Sequence, residues 1–145
     1  MEKIVISSIL AIILMTGFSY AISGISGRMF KEPVLLVRVL NSLNKHFSEN
    51  TKWLLACLIH YTIGLFFILF YHYFWEQGLI KVNVIDTFIY GISIAVIGAV
   101  GWAVIFKACQ CKPEDLNWSR GYYFQLIIAH LIFAFAVFAV YWALA

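Results

Sequence analysis

Four apolar stretches, each long enough to cross a bilayer, constrain the fold of this chain more than any other feature. They cover about residues 4–26, 53–75, 84–106 and 122–145. A helix needs about 20 apolar residues to span the hydrocarbon core, and inside lipid its backbone groups must bond within the segment. The sequence therefore predicts an all-α membrane protein with four transmembrane helices, which form a single domain over residues 1–145.

The composition excludes most soluble classes of protein. Hydrophobic residues make up 63% of the 145 residues and charged residues 12%, and the mean hydropathy is +0.91. A soluble domain carries about 25% charged residues. We find no phosphate loop, nucleophile elbow or HExxH zinc motif, so the sequence does not predict an enzyme. The net charge of +3 does not indicate nucleic acid as a partner, because most Lys and Arg residues flank the spans.

The first span could instead be a secretory signal, because Ser19-Tyr20-Ala21 resembles a cleavage site. Its apolar stretch from Ile4 to Ile25 exceeds the about 7–15 residues of a signal core. We therefore expect a membrane span whose Gly and Ser residues serve helix packing.

The connection between the first two spans contains an amphipathic segment, at about residues 34–50. Its apolar residues recur with helical spacing at Leu36, Leu40, Leu43 and Phe47. Polar residues occupy the opposing face at Arg38, Asn41, Lys45 and Glu49. Such a helix is suited to the membrane interface, with its apolar stripe in lipid and its polar face in water.

The second and fourth spans each carry one histidine in the same sequence context. An aromatic residue precedes each His by seven positions, a small residue follows it by four, and a Tyr follows by eleven. The two sets are Trp53, His60, Gly64 and Tyr71, and Tyr123, His130, Ala134 and Tyr141. This repeat predicts two pseudo-symmetric helical hairpins related by an axis along the membrane normal.

Both histidines are predicted to lie about 10–12 Å from the basic ends of their spans. Equal depth lets the two imidazoles face each other inside the bundle, where polar residues are candidates for function. The candidate binding residues are His60, Gly64, Tyr71, His130, Ala134 and Tyr141. Neutral imidazoles ligate haem iron and other metals, so His60 and His130 are also the candidate metal ligands. The sequence identifies no cofactor; haem b is one that would fit if Gly64 and Ala134 leave room for its macrocycle.

Two other interpretations of the histidines remain open. Each imidazole could bond a neighbouring hydroxyl or backbone carbonyl and only fix helix packing. Alternatively, the pair could form a constriction in a transport route, although no carboxylate within a span accompanies it. The sequence thus leaves three functional classes: a binding or redox module, a channel or small-solute transporter that forms a homo-oligomer, and a non-catalytic subunit that docks a partner.

The distribution of basic residues predicts the orientation. Five Lys and Arg residues lie between the first two spans and three between the last two, which makes eight of the ten in the chain. Positive loops face the cytoplasm. The sequence therefore predicts a multi-pass membrane protein, with both termini outside the cytoplasm and the lipid bilayer as its main partner.

Cys109 and Cys111 lie in the last basic connection and form no secreted disulfide pattern. In a reducing compartment they could supply two soft metal ligands, whereas structural zinc requires four.

Short motifs around the two histidines suggest a family resemblance. His60-Tyr61-x-x-Gly64 with Tyr71, and Ala129-His130-x-x-Phe133 with Tyr141, resemble motifs of small bacterial four-span inner-membrane proteins of the YagU-like kind. The resemblance covers mainly the second and fourth spans. It implies a four-span architecture and no established chemistry.

Overall fold

The structure, a computed structural model, describes residues 2–43, 46–112 and 116–144. These residues form five α-helices and no strand: α1 Glu2–Ser26, α2 Glu32–Leu43, α3 Glu49–Glu76, α4 Val84–Cys109 and α5 Leu116–Ala143. Every helix except α2 is long and apolar enough to cross a membrane. The predicted all-α class and the four spans are therefore confirmed.

Local sequence signals end α1 and turn the chain back toward the bundle. Gly27 follows the last residue of α1 with φ 65°, a left-handed conformation that suits glycine at a helix C-terminus. The backbone N–H of Phe30 then donates to Ser23 Oγ at 3.0 Å. This contact holds the connection against the end of α1, so that α2 begins beside the buried part of that helix.

The central helix of the bundle is α5, which packs against both α1 and α4. By contrast, α3 packs mainly against α2 and less extensively against α1, while α2 also contacts α4. Two equivalent hairpins would pack α3 on α4 as α5 packs on α1. Because α2 lies against both α3 and α4, the two halves pack differently, and the internal repeat stays a prediction.

The predicted helix between the first two spans is present as α2, but its apolar face contacts protein and not the lipid that the sequence predicted. The helix is shorter than the segment 34–50, and its inward face consists of Leu35, Leu36 and Val39. These side chains are buried by protein, whereas Leu43 from the predicted apolar stripe is 70% exposed. The hydrophobic side of α2 packs against α3 and α4, which removes its apolar surface from water. Lys45 of the predicted polar face lies outside the described residues.

Two apolar clusters hold the helices together. The larger one includes Met15, Ile68, Phe133 and Tyr141. The smaller one contains Phe30, Leu35, Phe106, Tyr122 and Leu126. The cavity described below is lined by residues from both clusters, so it lies where the two meet.

Candidate functional site

A cavity of about 220 Å³ lies among all five helices and is bordered mainly by apolar side chains. Its charged or titratable lining residues, among those described, are Glu32, His60 and His130. The structure therefore brings the two predicted histidines to one cavity and adds a carboxyl group from α2. Mostly apolar walls with a few convergent polar groups are typical of small-molecule sites.

His60 projects from the middle of α3 and is only 7% exposed. Its Nε2 lies 3.1 Å from Thr16 Oγ1 on α1. This bond ties α3 to α1 across the bundle, and it gives the imidazole the hydroxyl partner that the packing interpretation requires. A buried imidazole without such a partner would cost stability.

His130 projects from α5 and is 6% exposed. Its Nδ1 lies 2.8 Å from the Leu126 carbonyl oxygen, which can only accept, so Nδ1 carries the proton and donates. In the neutral ring Nε2 is then the acceptor. The Cε1–Nε2 edge lies beside Gly98, where an added Cβ would be 3.2 Å from both ring atoms. His130 thus turns a hydrogen-bond acceptor toward the α4 side of the cavity.

The two small residues beside the histidines serve close helix packing. A Cβ added at Gly64 would lie 2.8 Å from the Ile12 side chain of α1. The Cβ of Ala134 lies 3.1 Å from the position of a Cβ added at Gly91 on α4. Gly64 still lines the cavity, whereas Ala134 does not. The space that a haem macrocycle would need next to these residues is therefore occupied by neighbouring helices.

Tyr71 and Tyr141 lie away from the cavity in an aromatic cluster. Their ring centroids are 5.1 Å apart, and Tyr71 lies equally close to Tyr90. The hydroxyl of Tyr141 bonds His72 Nδ1 at 2.8 Å, and His72 stacks on Trp75. These contacts make both tyrosines part of the packing between helices, and they place His72 in the aromatic layer near the end of its span.

Glu32 is the site residue that the sequence did not reveal. It is 2% exposed, and its Oε1 accepts a hydrogen bond from Ser19 Oγ at 3.0 Å. Gln125 Nε2 donates to the same Ser19 oxygen at 2.6 Å, and Gln125 also lies within hydrogen-bonding reach of the carboxyl group. The polar side chain of Gln125 inside the fourth span was the available signal, because a polar group in a span requires a partner.

The carboxyl group of Glu32 is incompletely bonded in its charged form. Glu32 Oε2 and Gln125 Oε1 are both buried and have no hydrogen-bond partner among the described residues. Both atoms are acceptors, so a proton on Oε2 would turn one of them into a donor. Burial raises the pKa of Glu32 to about 7, although hydrogen bonds from its own backbone, Ser19 and Gln125 act in the opposite direction.

The described residues contain no group of three or more His, Cys, Asp and Glu that could hold a metal ion. His60 Nε2 is directed at Thr16 on α1, and the Nε2 edge of His130 lies beside Gly98 on α4. Both nitrogens thus lie against neighbouring helices, and ligation of haem or a metal by the pair stays a prediction.

The structure joins Cys109 and Cys111 by a disulfide, which differs from the pair of reduced thiols expected from the sequence. Neither sulfur is a thiolate while the bond is intact, so the pair offers no soft metal ligands in this state.

No protein-family model matches the chain, and neither a curated protein nor a solved structure matches it. The resemblance to YagU-like proteins therefore stays an expectation.

Proposed function

We propose that this integral membrane protein binds a small, largely apolar molecule in the cavity among its helices. The observation that carries this proposal is the convergence of His60, His130 and Glu32 on one cavity with otherwise mainly apolar walls. At about 220 Å³ it is smaller than the about 300–1,000 Å³ of sites for drug-sized ligands. The ligand is therefore smaller than a haem group, and no step of this proposal requires a metal.

The bilayer is the source of the ligand. Ile63 of α3 and Ile97 of α4 line the cavity and are also exposed on the outer surface of the bundle. That surface faces lipid when the four long helices span a membrane. An apolar molecule dissolved in the bilayer can enter between α3 and α4 without crossing water, and its polar end then meets the histidines.

Binding is tested with a substitution that fills the cavity and does not clash with neighbouring atoms. Gly101 lines the cavity, and a Cβ added there meets no atom within 4 Å. Gly17 on α1 is equally open but lies on the outer surface. We expect a small molecule extracted with the wild type and with Gly17→Leu, and detected by mass spectrometry, to be lost from Gly101→Leu. Equal recovery from all three proteins would contradict the proposal.

Transport of the same ligand is the second candidate. The sequence argued against a proton-coupled carrier because it placed no carboxylate within a span, and Glu32 now supplies one at the cavity. Carboxyl groups buried at membrane depth are typical of proton relays in transporters. Uptake of the extracted molecule into proteoliposomes, driven by a pH gradient and abolished in Glu32→Gln, would distinguish transport from binding alone.

A further inference from the structure

Two carbonyl-type oxygens, one from Glu32 in the cavity wall and one from Gln125 next to Glu32, lack a hydrogen-bond donor among the described residues. Glu32 Oε2 and Gln125 Oε1 are buried acceptors without a partner in the described part of the chain. His130 adds a third acceptor, because its Nδ1–H is taken by the Leu126 carbonyl. The described lining residues include no Lys or Arg. A ligand that donates hydrogen bonds and carries a positive charge is complementary to these groups.

Glu32 must change its protonation state to bind a cation. Its charged form is disfavoured because burial removes the carboxylate from water, which raises its pKa to about 7. Oε2 has no hydrogen-bond partner in the described part of the chain, and a proton there neutralises the buried carboxyl group. The neutral acid is then the resting state on the acidic side of neutrality, and the proton competes with any cationic ligand for this carboxyl group.

Among the described residues that line the cavity, Glu32 is the only acidic one. The titratable side chains that face it, one each from α1, α5 and α3, are Tyr20, Tyr122 and His60. The described lining residues of α4 are all non-titratable. Lys31, its neighbour in sequence, lies over the Tyr20 ring at 4.8 Å from the centroid.

The rest of the cavity wall suits the apolar part of such a ligand. Phe67 and Trp102 line it from α3 and α4, and aromatic faces attract ammonium groups as well as hydrocarbon. Its opening toward lipid beside Ile63 and Ile97 favours a molecule that partitions into membranes. These lining residues therefore favour a compact ligand with an apolar body and one cationic end.

Resting on the binding function proposed above, we propose that the ligand is a small amphipathic amine whose ammonium group takes the place of the proton on Glu32. On binding, the O–H bond of the carboxyl group breaks and the proton leaves to solution. The ammonium N–H groups then donate to the carboxylate, and the apolar body lies along the histidines and aromatic rings. No covalent bond to the ligand forms.

The test compares two probes that differ in charge and match in shape. Naphthylmethylamine is a cation near neutral pH, and naphthylmethanol is its neutral counterpart. Isothermal titration with the full chain in phosphatidylcholine nanodiscs gives the affinity for each. For a carboxyl group with pKa about 7, we expect the amine to bind about tenfold more tightly at about pH 8 than at about pH 6. The affinity for the alcohol should not change.

Variants assign this pH dependence to Glu32. Glu32→Gln resembles the protonated side chain, so it should keep the affinity for the alcohol and lose both the preference for the amine and its pH dependence. Glu49→Gln is the control, because that side chain is 75% exposed at the start of α3. It should behave as the wild type. At about pH 6, binding of the amine should release about one proton from the wild type and none from Glu32→Gln.

The outcomes separate the two proposals. Equal affinities for the two probes in the wild type, unchanged in Glu32→Gln, would overturn the inference of an amine ligand while the binding function stands. If neither probe binds the wild type more tightly than it binds Gly101→Leu, both proposals fail.

Discussion

At the scale of single residues, the protein concentrates its polar chemistry in a few buried contacts. His60 bonds Thr16, His130 bonds the Leu126 carbonyl, and Glu32 bonds Ser19. Each contact joins a polar atom to a partner in a setting where an unbonded group costs several kcal/mol, by rough estimate. Glu32 Oε2 and Gln125 Oε1 are among the exceptions, and burial of the Glu32 carboxyl group makes it sensitive to pH.

The stability of the protein should depend on pH through Glu32. Burial raises its pKa from the ordinary 4.5 to about 7, so the folded state holds more protons than the unfolded state between these values. Stability is therefore highest below about pH 4.5 and falls as the pH rises toward about 7, with a total loss of about 3 kcal/mol. Unfolding in detergent at several pH values should show this fall in the wild type and a flatter profile in Glu32→Gln. The same profile in both would contradict the assignment.

Ser19 should contribute more to stability than other serines of α1. Its hydroxyl donates to Glu32 Oε1 and accepts from Gln125 Nε2, so Ser19→Ala leaves two buried groups without this partner, at about 1–3 kcal/mol each. Ser8→Ala is the control, because Ser8 bonds the Ile4 carbonyl of its own helix. In denaturant unfolding, Ser19→Ala should therefore be less stable than Ser8→Ala. Equal stabilities of the two variants would contradict a stabilising role for the contacts of Ser19.

At the scale of helices, the number and the lengths of the spans could be predicted, whereas the role of α2 could not. The hydrocarbon core sets the length of a span, and the helical rise is the basis for expecting His60 and His130 at one depth. Glu32 lies in a connection that hydropathy assigns to the interface, and its burial depends on how the chain turns at Gly27 and docks beside Ser19. That docking is a tertiary contact, and no periodicity along the sequence encodes it. Similar spacing around two histidines likewise could not show that α2 would make the two halves unequal.

The close approach of α4 and α5 should depend on Gly91. An added Cβ there would lie 2.9 Å from Leu131 Cδ2 and 3.4 Å from the Leu131 Cα, so Gly91→Ala forces the two helices apart and should cost about 1–3 kcal/mol. Gly17→Ala is the matched control, since a Cβ added there meets no atom within 4 Å. Alanine favours a helix over glycine by about 1 kcal/mol, so the control should be as stable as the wild type or more so. Thermal unfolding of both variants in detergent tests this, and a stable Gly91→Ala protein would contradict the packing.

At the scale of the whole molecule, the four spanning helices and α2 surround the cavity. The proposed ligand enters this cavity from the bilayer. The spans account for most of the chain, and their exposed apolar side chains suit a lipid environment.

We expect both termini to lie outside the cytoplasm. Eight of the ten Lys and Arg residues lie in the two connections that join the first span to the second and the third to the fourth, and such connections stay in the cytoplasm. Two reporters are fused in turn through a short linker after Ala145. A reporter that is active only after export should be active, and a reporter that is active only in the cytoplasm should be inactive. The reverse pattern would invert the orientation.

The most direct test of the central claim is to locate a small apolar ligand in the protein. Bromonaphthol has an apolar body, a hydroxyl that can donate to His130 Nε2, and a bromine atom that is visible by anomalous scattering. In crystals grown from a lipidic mesophase and soaked with this compound, we expect a bromine peak in the cavity bordered by His60, His130 and Glu32. The same soak of Gly101→Leu crystals should remove the peak. Bromine found only on the outer surface of the bundle, or equally in both proteins, would contradict the claim that this cavity is a binding site.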